Sequence, residues 1–191
     1  MATHIRQLRC TRHPNIGSVS IFQRQLWSQK MTIQVGDKMP SVNFKKLTAD
    51  GLSDISTDNY CQGRKVALFA VPGAFTPTCS AQHVPSYLGN ADALKSKGIS
   101  AIACVSVNDA FVMDAWGEAQ AVGDSLDMLA DGNGEFARAT GLTLDARGFG
   151  LGERTTRFSM IIDDGTVTHL NVEENPTEMN VSSAEHMLTQ L

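Results

Sequence analysis

The stretch VALFAVPGAFTPTC, residues 66–79, decides the fold, because an apolar run leads directly into a Pro-Gly turn and a helix start. A second apolar run, ISAIACVSV, covers residues 99–107. The roughly 25 residues of helical character between the two runs end at Lys97 and Gly98, as is typical of a helix C-terminus. Two buried strands joined by a helix form a βαβ unit, so the sequence predicts a central pair of parallel strands.

Elements on both sides of this unit extend the predicted sheet. Residues 42–47 and 52–55 flank Asp50-Gly51, and residues 158–162 and 167–172 flank Asp164-Gly165, so each pair predicts a hairpin. The other predicted elements are a helix over 109–122 with Phe111, Val112, Ala115, Trp116 and Ala119 on one face, a strand over 126–130, a helix over 134–140, a glycine-rich loop over 141–154, and a capping box, Ser182-Ser183-Ala184-Glu185, that opens a last helix. This order predicts an α/β domain with a thioredoxin-like fold, in which helices flank a central mixed β-sheet and an N-terminal β-hairpin precedes it.

Length and charge limit the class of protein. The chain has 191 residues, 42% of them hydrophobic, which suits one domain with a substantial core. Its apolar runs are far shorter than the roughly 18 residues that cross a bilayer, so we expect no integral membrane protein. A net charge of −4 offers no basic footprint for a nucleic-acid partner.

Residues 1–30 differ from the rest of the chain in charge. They hold five basic residues and no acid, whereas the remainder holds 11 basic and 20 acidic residues. An arginine-rich leader without acids is typical of an organellar transit peptide. We therefore expect residues 1–30 to target a mitochondrion and residues 31–191 to form the domain. The alternative is a disordered or cloning-derived extension before Met31, with a cytoplasmic location.

Three cysteines remain in the domain, Cys61, Cys79 and Cys104, because Cys10 lies in the leader. An odd number without C-x-x-C spacing fits neither a disulfide framework nor a dithiol or zinc-knuckle motif. The neighbours of each thiol must therefore distinguish a reactive centre from an inert buried side chain.

The neighbours of Cys79 indicate a reactive thiol. Thr76 is a good N-cap and Pro77 suits the first helical position, which places Cys79 third in the helix. Free N–H groups and the helix dipole favour an anion there, but they contribute at most about 2 kcal/mol. Free thiols are mostly protonated at neutral pH, and the helix contribution alone is too small to ionise most of them. A nearby cation must therefore also stabilise the thiolate. Arg154 and Arg157 are the candidates.

The residues around Cys79 also resemble a known motif. Pro72-x-x-x-Thr76-x-x-Cys79 matches the peroxiredoxin active-site pattern, and PGAFTPTCSAQHVP is similar to the type II, peroxiredoxin-5-like class. Further segments that resemble this family follow in the same order: CVSVND (104–109), LADG (129–132), TRFS (156–159), NVE (171–173) and VSSAE (181–185). The resemblance spans about residues 33–191.

This resemblance implies a thiol peroxidase that reduces hydrogen peroxide and alkyl hydroperoxides without a metal, haem or flavin cofactor. Cys79 would be the peroxidatic nucleophile and Thr76 would hydrogen-bond the peroxide. Arg157 would stabilise the thiolate and polarise the O–O bond. Pro72 would shield the pocket from water, with Gly73 as a further substrate contact. Thioredoxin, glutaredoxin or glutathione would supply electrons, and the family suggests a homodimer.

Several side chains allow more than one interpretation. Cys104 is either a small buried hydrophobe or, as in type II relatives with a CVSVND-like segment, the resolving cysteine. Without it, an external thiol would reduce the sulfenate. His83 lies four residues after Cys79, and we expect a packing or supporting role rather than metal binding, since two further ligands are missing. Arg154 is expected to stay on its loop, and Cys61 is expected to have no role.

Two other functions compete with the peroxidase. A redox sensor or relay would oxidise the same cysteine but pass the oxidation to a client protein through a mixed disulfide. A thioredoxin-like binding module with a vestigial site would have no reason to keep Pro72, Thr76, Cys79 and Arg157 together. Fast peroxide turnover favours the enzyme, whereas stoichiometric oxidation and client trapping favour the relay.

Overall fold

A computed structural model describes residues 32–191 of the chain, and the targeting segment predicted over residues 1–30 lies outside them. Within the described residues, a mixed sheet has seven strands in the order β2 (Gly51–Ser56), β1 (Asn43–Thr48), β5 (Asp127–Ala130), β4 (Ala101–Ser106), β3 (Lys65–Ala70), β8 (Phe158–Asp163) and β9 (Thr166–Val172). Strands β3, β4 and β5 are parallel, whereas β1 and β2, and likewise β8 and β9, form antiparallel hairpins at the two edges. Helices flank the sheet, so the predicted thioredoxin-like fold, its N-terminal hairpin and its parallel centre are confirmed.

The strands of this sheet and of a separate two-stranded one are β1 Asn43–Thr48, β2 Gly51–Ser56, β3 Lys65–Ala70, β4 Ala101–Ser106, β5 Asp127–Ala130, β6 Thr143–Asp145, β7 Glu153–Thr155, β8 Phe158–Asp163 and β9 Thr166–Val172. The helices are α1 Thr57–Cys61, α2 Val84–Gly89, α3 Ala91–Ser96, α4 Ala110–Ala119, α5 Glu135–Thr140 and α6 Ala184–Leu188, together with a π-helical turn, Cys79–His83, and a 3₁₀ turn, Arg147–Phe149. None of these helices has the length and apolar character needed to cross a bilayer.

Side chains alternate between the two faces of the sheet, and a separate apolar core covers each face. Phe69 on β3 and Cys104 on β4 belong to the core packed by α2, α3, α4 and α6. Their neighbours Leu68 and Ala103 belong to the core packed by α1 and α5. Because helices cover both faces, the central strands are apolar throughout, as parallel strands usually are.

The predicted long helix after β3 is divided into three pieces. Its first piece, from Cys79 to His83, is π-helical, and the N–H of Val84 donates to the Cys79 carbonyl. Pro85 has no N–H to bond to the Ala81 carbonyl, so the wider turn absorbs the interruption. The interruption at Pro85 therefore takes the form of a π-helical turn over Cys79–His83.

The predicted apolar face of α4 is wrong except at Trp116, which is buried. Phe111 is 62% exposed, and the buried stripe of the helix consists of Ala110, Met113, Trp116 and Gly117. Apolar residues occur almost all round this helix, so the sequence pattern does not select the face that packs.

Two other local predictions differ from the structure. The last helix begins after Ser183 instead of Ser182, because the Ser183 hydroxyl accepts the N–H of His186 at 3.2 Å. The carboxylate of Glu185 does not complete a capping box with Ser182. It accepts hydrogen bonds from the Ser86 hydroxyl at 2.7 Å and from the side-chain amide of Asn90 at 2.8 Å. The predicted loop over 141–154 contains the short hairpin of β6 and β7 around the 3₁₀ turn.

Candidate active site

Strand geometry brings Cys79 and Arg157 together. Chain residues 71–78 carry the backbone from the end of β3 to Cys79, the first residue of the π-helical turn. Strand β8 runs antiparallel to β3 and pairs Phe158 with Ala70, so the start of β8 lies beside the end of β3. Arg157 immediately precedes β8, and its Nη2 donates to the Cys79 Sγ at 3.2 Å. The guanidinium therefore supplies the cation that the helix alone cannot provide.

Arg157 is buried, with 2% of its surface exposed, and each of its three nitrogens has a partner. Nε donates to the Pro176 carbonyl at 3.0 Å, and Nη1 lies 2.9 Å from Nδ1 of His83. A guanidinium can only donate, so His83 Nδ1 must be the acceptor. This arrangement holds the guanidinium plane fixed against the sulfur.

His83 is neutral in this arrangement. Burial, followed by the positive charge of Arg157, lowers the pKa of His83 to about 3. Its Nε2 lies 3.0 Å from the Ser182 carbonyl, an acceptor, so the proton is on Nε2 and Nδ1 is free to accept from Arg157. The expected supporting role of His83 thus has a defined geometry.

A mostly apolar cleft of about 500 Å³ lies next to the site, because Arg157 both lines it and contacts Cys79. Cys79 itself is fully buried and does not line the cleft. The lining residues are Pro72, Thr76, Pro77, Thr78, Leu144, Ala146, Phe149, Leu151, Arg157, Pro176 and Thr177. Polar groups of Thr76 and Arg157 thus lie on a largely apolar wall. This lining suits a ligand with a small polar group attached to an apolar part.

Thr76, which lines the cleft, is hydrogen-bonded to Gly73. The Thr76 hydroxyl donates to the Gly73 carbonyl at 2.8 Å, so its lone pairs remain free to accept. It does not cap the helix with its side chain, although its carbonyl accepts the N–H of Ser80 at 3.0 Å as an N-cap should. A Cβ added at Gly73 would lie 3.2 Å from the Thr76 Cγ2, which is tighter than ordinary contact. Gly73 is not among the residues that line the cleft.

Arg154, the other candidate cation, makes no hydrogen bond to the Cys79 sulfur; its guanidinium binds two main-chain carbonyls instead. Its Nε donates to the Leu151 carbonyl at 2.7 Å, as expected of a residue that stays on its loop. Its Nη1 also donates to the Val107 carbonyl at 2.6 Å, beyond the end of β4. Arg154 therefore fastens the loop of β6 and β7 to the central sheet.

The two other described thiols are buried. Cys104 lies on β4 opposite Phe69, in the same core as Cys79. Burial, followed by the neighbouring Cys79, raises the pKa of Cys104 well above its ordinary value. Cys61 lies in the other core, where burial raises its pKa to about 11. Neither thiol is ionised at neutral pH, and residues 32–191 contain no disulfide.

Two residues that support the site were not identified from the sequence. Ser182 supplies the carbonyl that fixes His83, and Glu173 binds the main chain of Ser182. Both belong to segments that resemble the family motif, but no sequence pattern assigns them a contact. Over the described range, no group of three His, Cys, Asp or Glu side chains could hold a metal ion.

Comparison with known proteins gives the family. Residues 34–188 match the Redoxin family. The chain is 47% identical over 164 residues to peroxiredoxin-2E, chloroplastic, of Arabidopsis thaliana, which covers 84% of this chain and 70% of that protein. It is 48% identical over 160 residues to peroxiredoxin-2D of the same plant, covering 83% and 98% of the two chains. The solved structure of reduced Prx3 from Vibrio vulnificus in complex with H2O2 is 50% identical, with a TM-score of 0.80, and covers 83% of this chain and 99% of that one.

These relatives contradict the mitochondrial destination predicted for the chain. A relative at 47% identity is a chloroplastic protein. Leader composition could not reveal this, because transit peptides of both organelles are arginine-rich and poor in acids.

The match over most of the chain agrees with the buried thiol beside an arginine at the helix start. The chain belongs to the peroxiredoxin family, in its type II group, and is a thiol-dependent peroxidase that reduces peroxides.

Proposed function

We propose that Cys79 is the peroxidatic nucleophile of this peroxidase. The observation that carries the proposal is the 3.2 Å contact between the Cys79 Sγ and Nη2 of Arg157, a residue that lines the cleft. A charge-assisted donor at this distance stabilises the thiolate, the reactive form of a cysteine. The Vibrio vulnificus relative that was solved with H2O2 supports a peroxide as the substrate.

The chemical step follows from these positions. The thiolate attacks the terminal oxygen of R–O–OH, so an S–O bond forms while the O–O bond breaks. The sulfur loses two electrons and becomes a sulfenic acid, and the departing RO⁻ takes up a proton and leaves as water or an alcohol. Arg157 stabilises the charge that develops on the peroxide oxygens, and the free lone pairs of Thr76 accept the peroxide hydrogen.

Pro72 and Gly73 shape the pocket without touching the reacting oxygen. Pro72 lines the cleft and presents an apolar ring to it, which limits the access of water to the thiolate. Gly73 contributes through its carbonyl, which holds the Thr76 hydroxyl, instead of through a direct substrate contact. The apolar walls accept the organic group of an alkyl hydroperoxide as well as hydrogen peroxide itself.

The sulfenic acid is then reduced by an external thiol, which forms a mixed disulfide with Cys79 and releases water. A second thiol frees Cys79 and leaves as the oxidised disulfide. Glutathione, glutaredoxin or thioredoxin supply such thiols. The burial and raised pKa of Cys104 favour this route over resolution by Cys104, since a protonated thiol in a strand is a poor nucleophile.

Single cysteine variants test these assignments. Cys79→Ser should abolish peroxide consumption, and Cys61→Ser is the matched control that should retain it. With glutathione or glutaredoxin as reductant, Cys104→Ser should keep the wild-type turnover. Substantial turnover by Cys79→Ser would contradict the nucleophile, and a dead Cys104→Ser that still forms the sulfenic acid would assign Cys104 the resolving role.

We further propose that residues 1–30 direct the chain to a plastid. The acid-free leader and the chloroplastic relative support this destination. Import into isolated chloroplasts should occur with the full chain and fail without residues 1–30; equal import of both would contradict the proposal.

We also propose a homodimer that covers the rim of the cleft. Phe149 is 79% exposed at this rim, which is unfavourable for a large apolar side chain in water. Sedimentation should show a dimer that Phe149→Glu dissociates, and a monomeric wild-type chain at all concentrations would contradict it.

A further inference from the structure

The segment between β9 and α6, residues 173–183, supplies two main-chain oxygens to the active site. The Pro176 carbonyl accepts Arg157 Nε at 3.0 Å, and the Ser182 carbonyl accepts His83 Nε2 at 3.0 Å. The segment contains neither helix nor strand. The orientation of the guanidinium therefore depends on whatever fixes this irregular segment in place.

Glu173 fixes it. Its side chain is buried, and one carboxylate oxygen, Oε1, accepts three hydrogen bonds. The donors are the N–H of Asn180 at 2.6 Å, the N–H of Ser182 at 2.8 Å and the hydroxyl of Ser182 at 2.7 Å. Hydrogen bonds to a charged acceptor are among the strongest in proteins, so this carboxylate determines where the Ser182 main chain lies.

These contacts form a closed circuit around Arg157. The N–H of Glu173 donates to the Arg157 carbonyl at 3.0 Å, which ties the two main chains together. The Glu173 carboxylate holds Ser182, Ser182 holds His83, and Nδ1 of His83 lies 2.9 Å from Arg157 Nη1. Glu173 thus contacts the Arg157 main chain directly and its side chain through Ser182 and His83, and the Tyr87 hydroxyl also donates to the Ser182 carbonyl at 3.0 Å.

We propose that Glu173 is a positioning residue for Arg157 in the peroxide reaction, an inference that rests on the proposed function of Cys79. Ser182 keeps the proton of His83 on Nε2. If the Ser182 carbonyl moves away, the imidazole can place its proton on Nδ1, where it would face an N–H of Arg157 instead of accepting it. The guanidinium would then lose one of its three fixed contacts and its alignment with the Cys79 sulfur.

The test compares variants of Glu173 with a neighbouring control in the full chain. Glu173→Gln keeps an oxygen that can accept the three hydrogen bonds, whereas Glu173→Ala removes it. Glu174 is exposed, and Glu174→Ala is the matched control. Stopped-flow fluorescence follows oxidation by H2O2, since the buried Trp116 indole donates to Ser80 at 3.0 Å, next to Cys79. Alkylation of Cys79 by iodoacetamide, recorded against pH, reports the environment of the sulfur.

Glu173→Ala should oxidise about ten to a hundred times more slowly than the wild type, as a displaced catalytic group does. Its alkylation profile should also move to higher pH, because the guanidinium no longer stabilises the thiolate. Glu173→Gln should stay within about threefold of the wild type, since the acceptor remains. Glu174→Ala should match the wild type in both measurements.

A folded Glu173→Ala variant with the rate and pH profile of Glu174→Ala would overturn the inference. If Glu173→Ala does not fold, Glu173→Asp decides, because its carboxylate is one methylene shorter: a slower rate with a shifted profile supports the inference, and unchanged values overturn it. Arg157→Gln belongs to the same series. If it also reacts at the wild-type rate, the proposed role of Arg157 has failed, and not only that of Glu173.

Discussion

Acidification should destabilise the protein through His83. In the folded chain this imidazole is buried, its pKa is lowered to about 3 by burial and by Arg157, and it accepts a hydrogen bond that protonation would destroy. In the unfolded chain it has an ordinary pKa of about 6.5. Between these values the unfolded state binds a proton that the folded state does not, so stability falls as the pH falls below about 6.5.

The size of the effect follows from the two pKa values. Relative to pH 7.5, protonation of this one histidine lowers the free energy of the unfolded state by about 1 kcal/mol at pH 5.5 and by roughly 3 kcal/mol at pH 4.5. The folded state gains almost nothing over this range, because its pKa of about 3 lies below it. For a domain with a typical stability of about 5–15 kcal/mol, this is a measurable fraction.

The assay is urea unfolding of the wild type and of His83→Asn at pH 7.5, 5.5 and 4.5, with reductant present. Asparagine cannot titrate, and its oxygen lies near the position of Nδ1, where it can accept from Arg157. All other ionisable groups are common to both proteins and cancel in the comparison. The stability advantage of the wild type over His83→Asn should shrink by the amounts given above. A constant difference across the three pH values would refute a buried neutral His83.

Three further changes separate the site from the scaffold. Arg157→Lys replaces a fork of three fixed contacts by a single ammonium, so the rate constant with H2O2 should fall by about 100-fold, measured by stopped flow; a loss below threefold would contradict the role of the guanidinium. Thr76→Val removes the hydroxyl at constant shape and should slow peroxide reduction about tenfold, whereas Thr76→Ser should stay close to the wild type; equal rates for both would show that the hydroxyl is dispensable. Tyr60→Phe removes a 2.6 Å hydrogen bond to Asp127 in the other core and should cost about 1–3 kcal/mol of unfolding free energy without slowing peroxide reduction. Burial alone would raise the pKa of Asp127, but hydrogen bonds from Lys46 and Tyr60 hold it below its ordinary value. The stabilisation by this carboxylate is therefore present above about pH 4 and is lost in acid, and Tyr60→Phe should weaken that acid dependence. Urea unfolding at pH 7 and pH 3 checks both statements.

Local patterns in the sequence predict much of this fold. The apolar runs of β3 and β4 and the Asp-Gly turns of the two hairpins depend on neighbours along the chain, and the structure has all of them. The helix start at Thr76 and Pro77 is equally local, and it places Cys79 at the helix N-terminus as predicted. The packed face of α4 is not local, because it depends on how the helix lies on the sheet.

The contacts of the site depend on strand order, which the sequence alone does not reveal. Local chemistry left Arg154 and Arg157 as equal candidates, and only the family resemblance favoured Arg157. The structure explains the choice, since antiparallel pairing of β8 with β3 carries Arg157 to the end of β3. The hydrogen bonds that Glu173 and Ser182 make join main-chain and side-chain atoms across loops, and no periodicity or spacing signals them.

Trapping of the oxidised sulfur tests the central claim most directly. The full chain is treated with one equivalent of H2O2 in the presence of dimedone, which reacts with sulfenic acids, and the peptides are analysed by mass spectrometry. We predict a dimedone adduct on Cys79 that Arg157→Gln greatly reduces, with Cys61 and Cys104 unmodified. An adduct on Cys61 or Cys104 while Cys79 remains a free thiol would contradict the account.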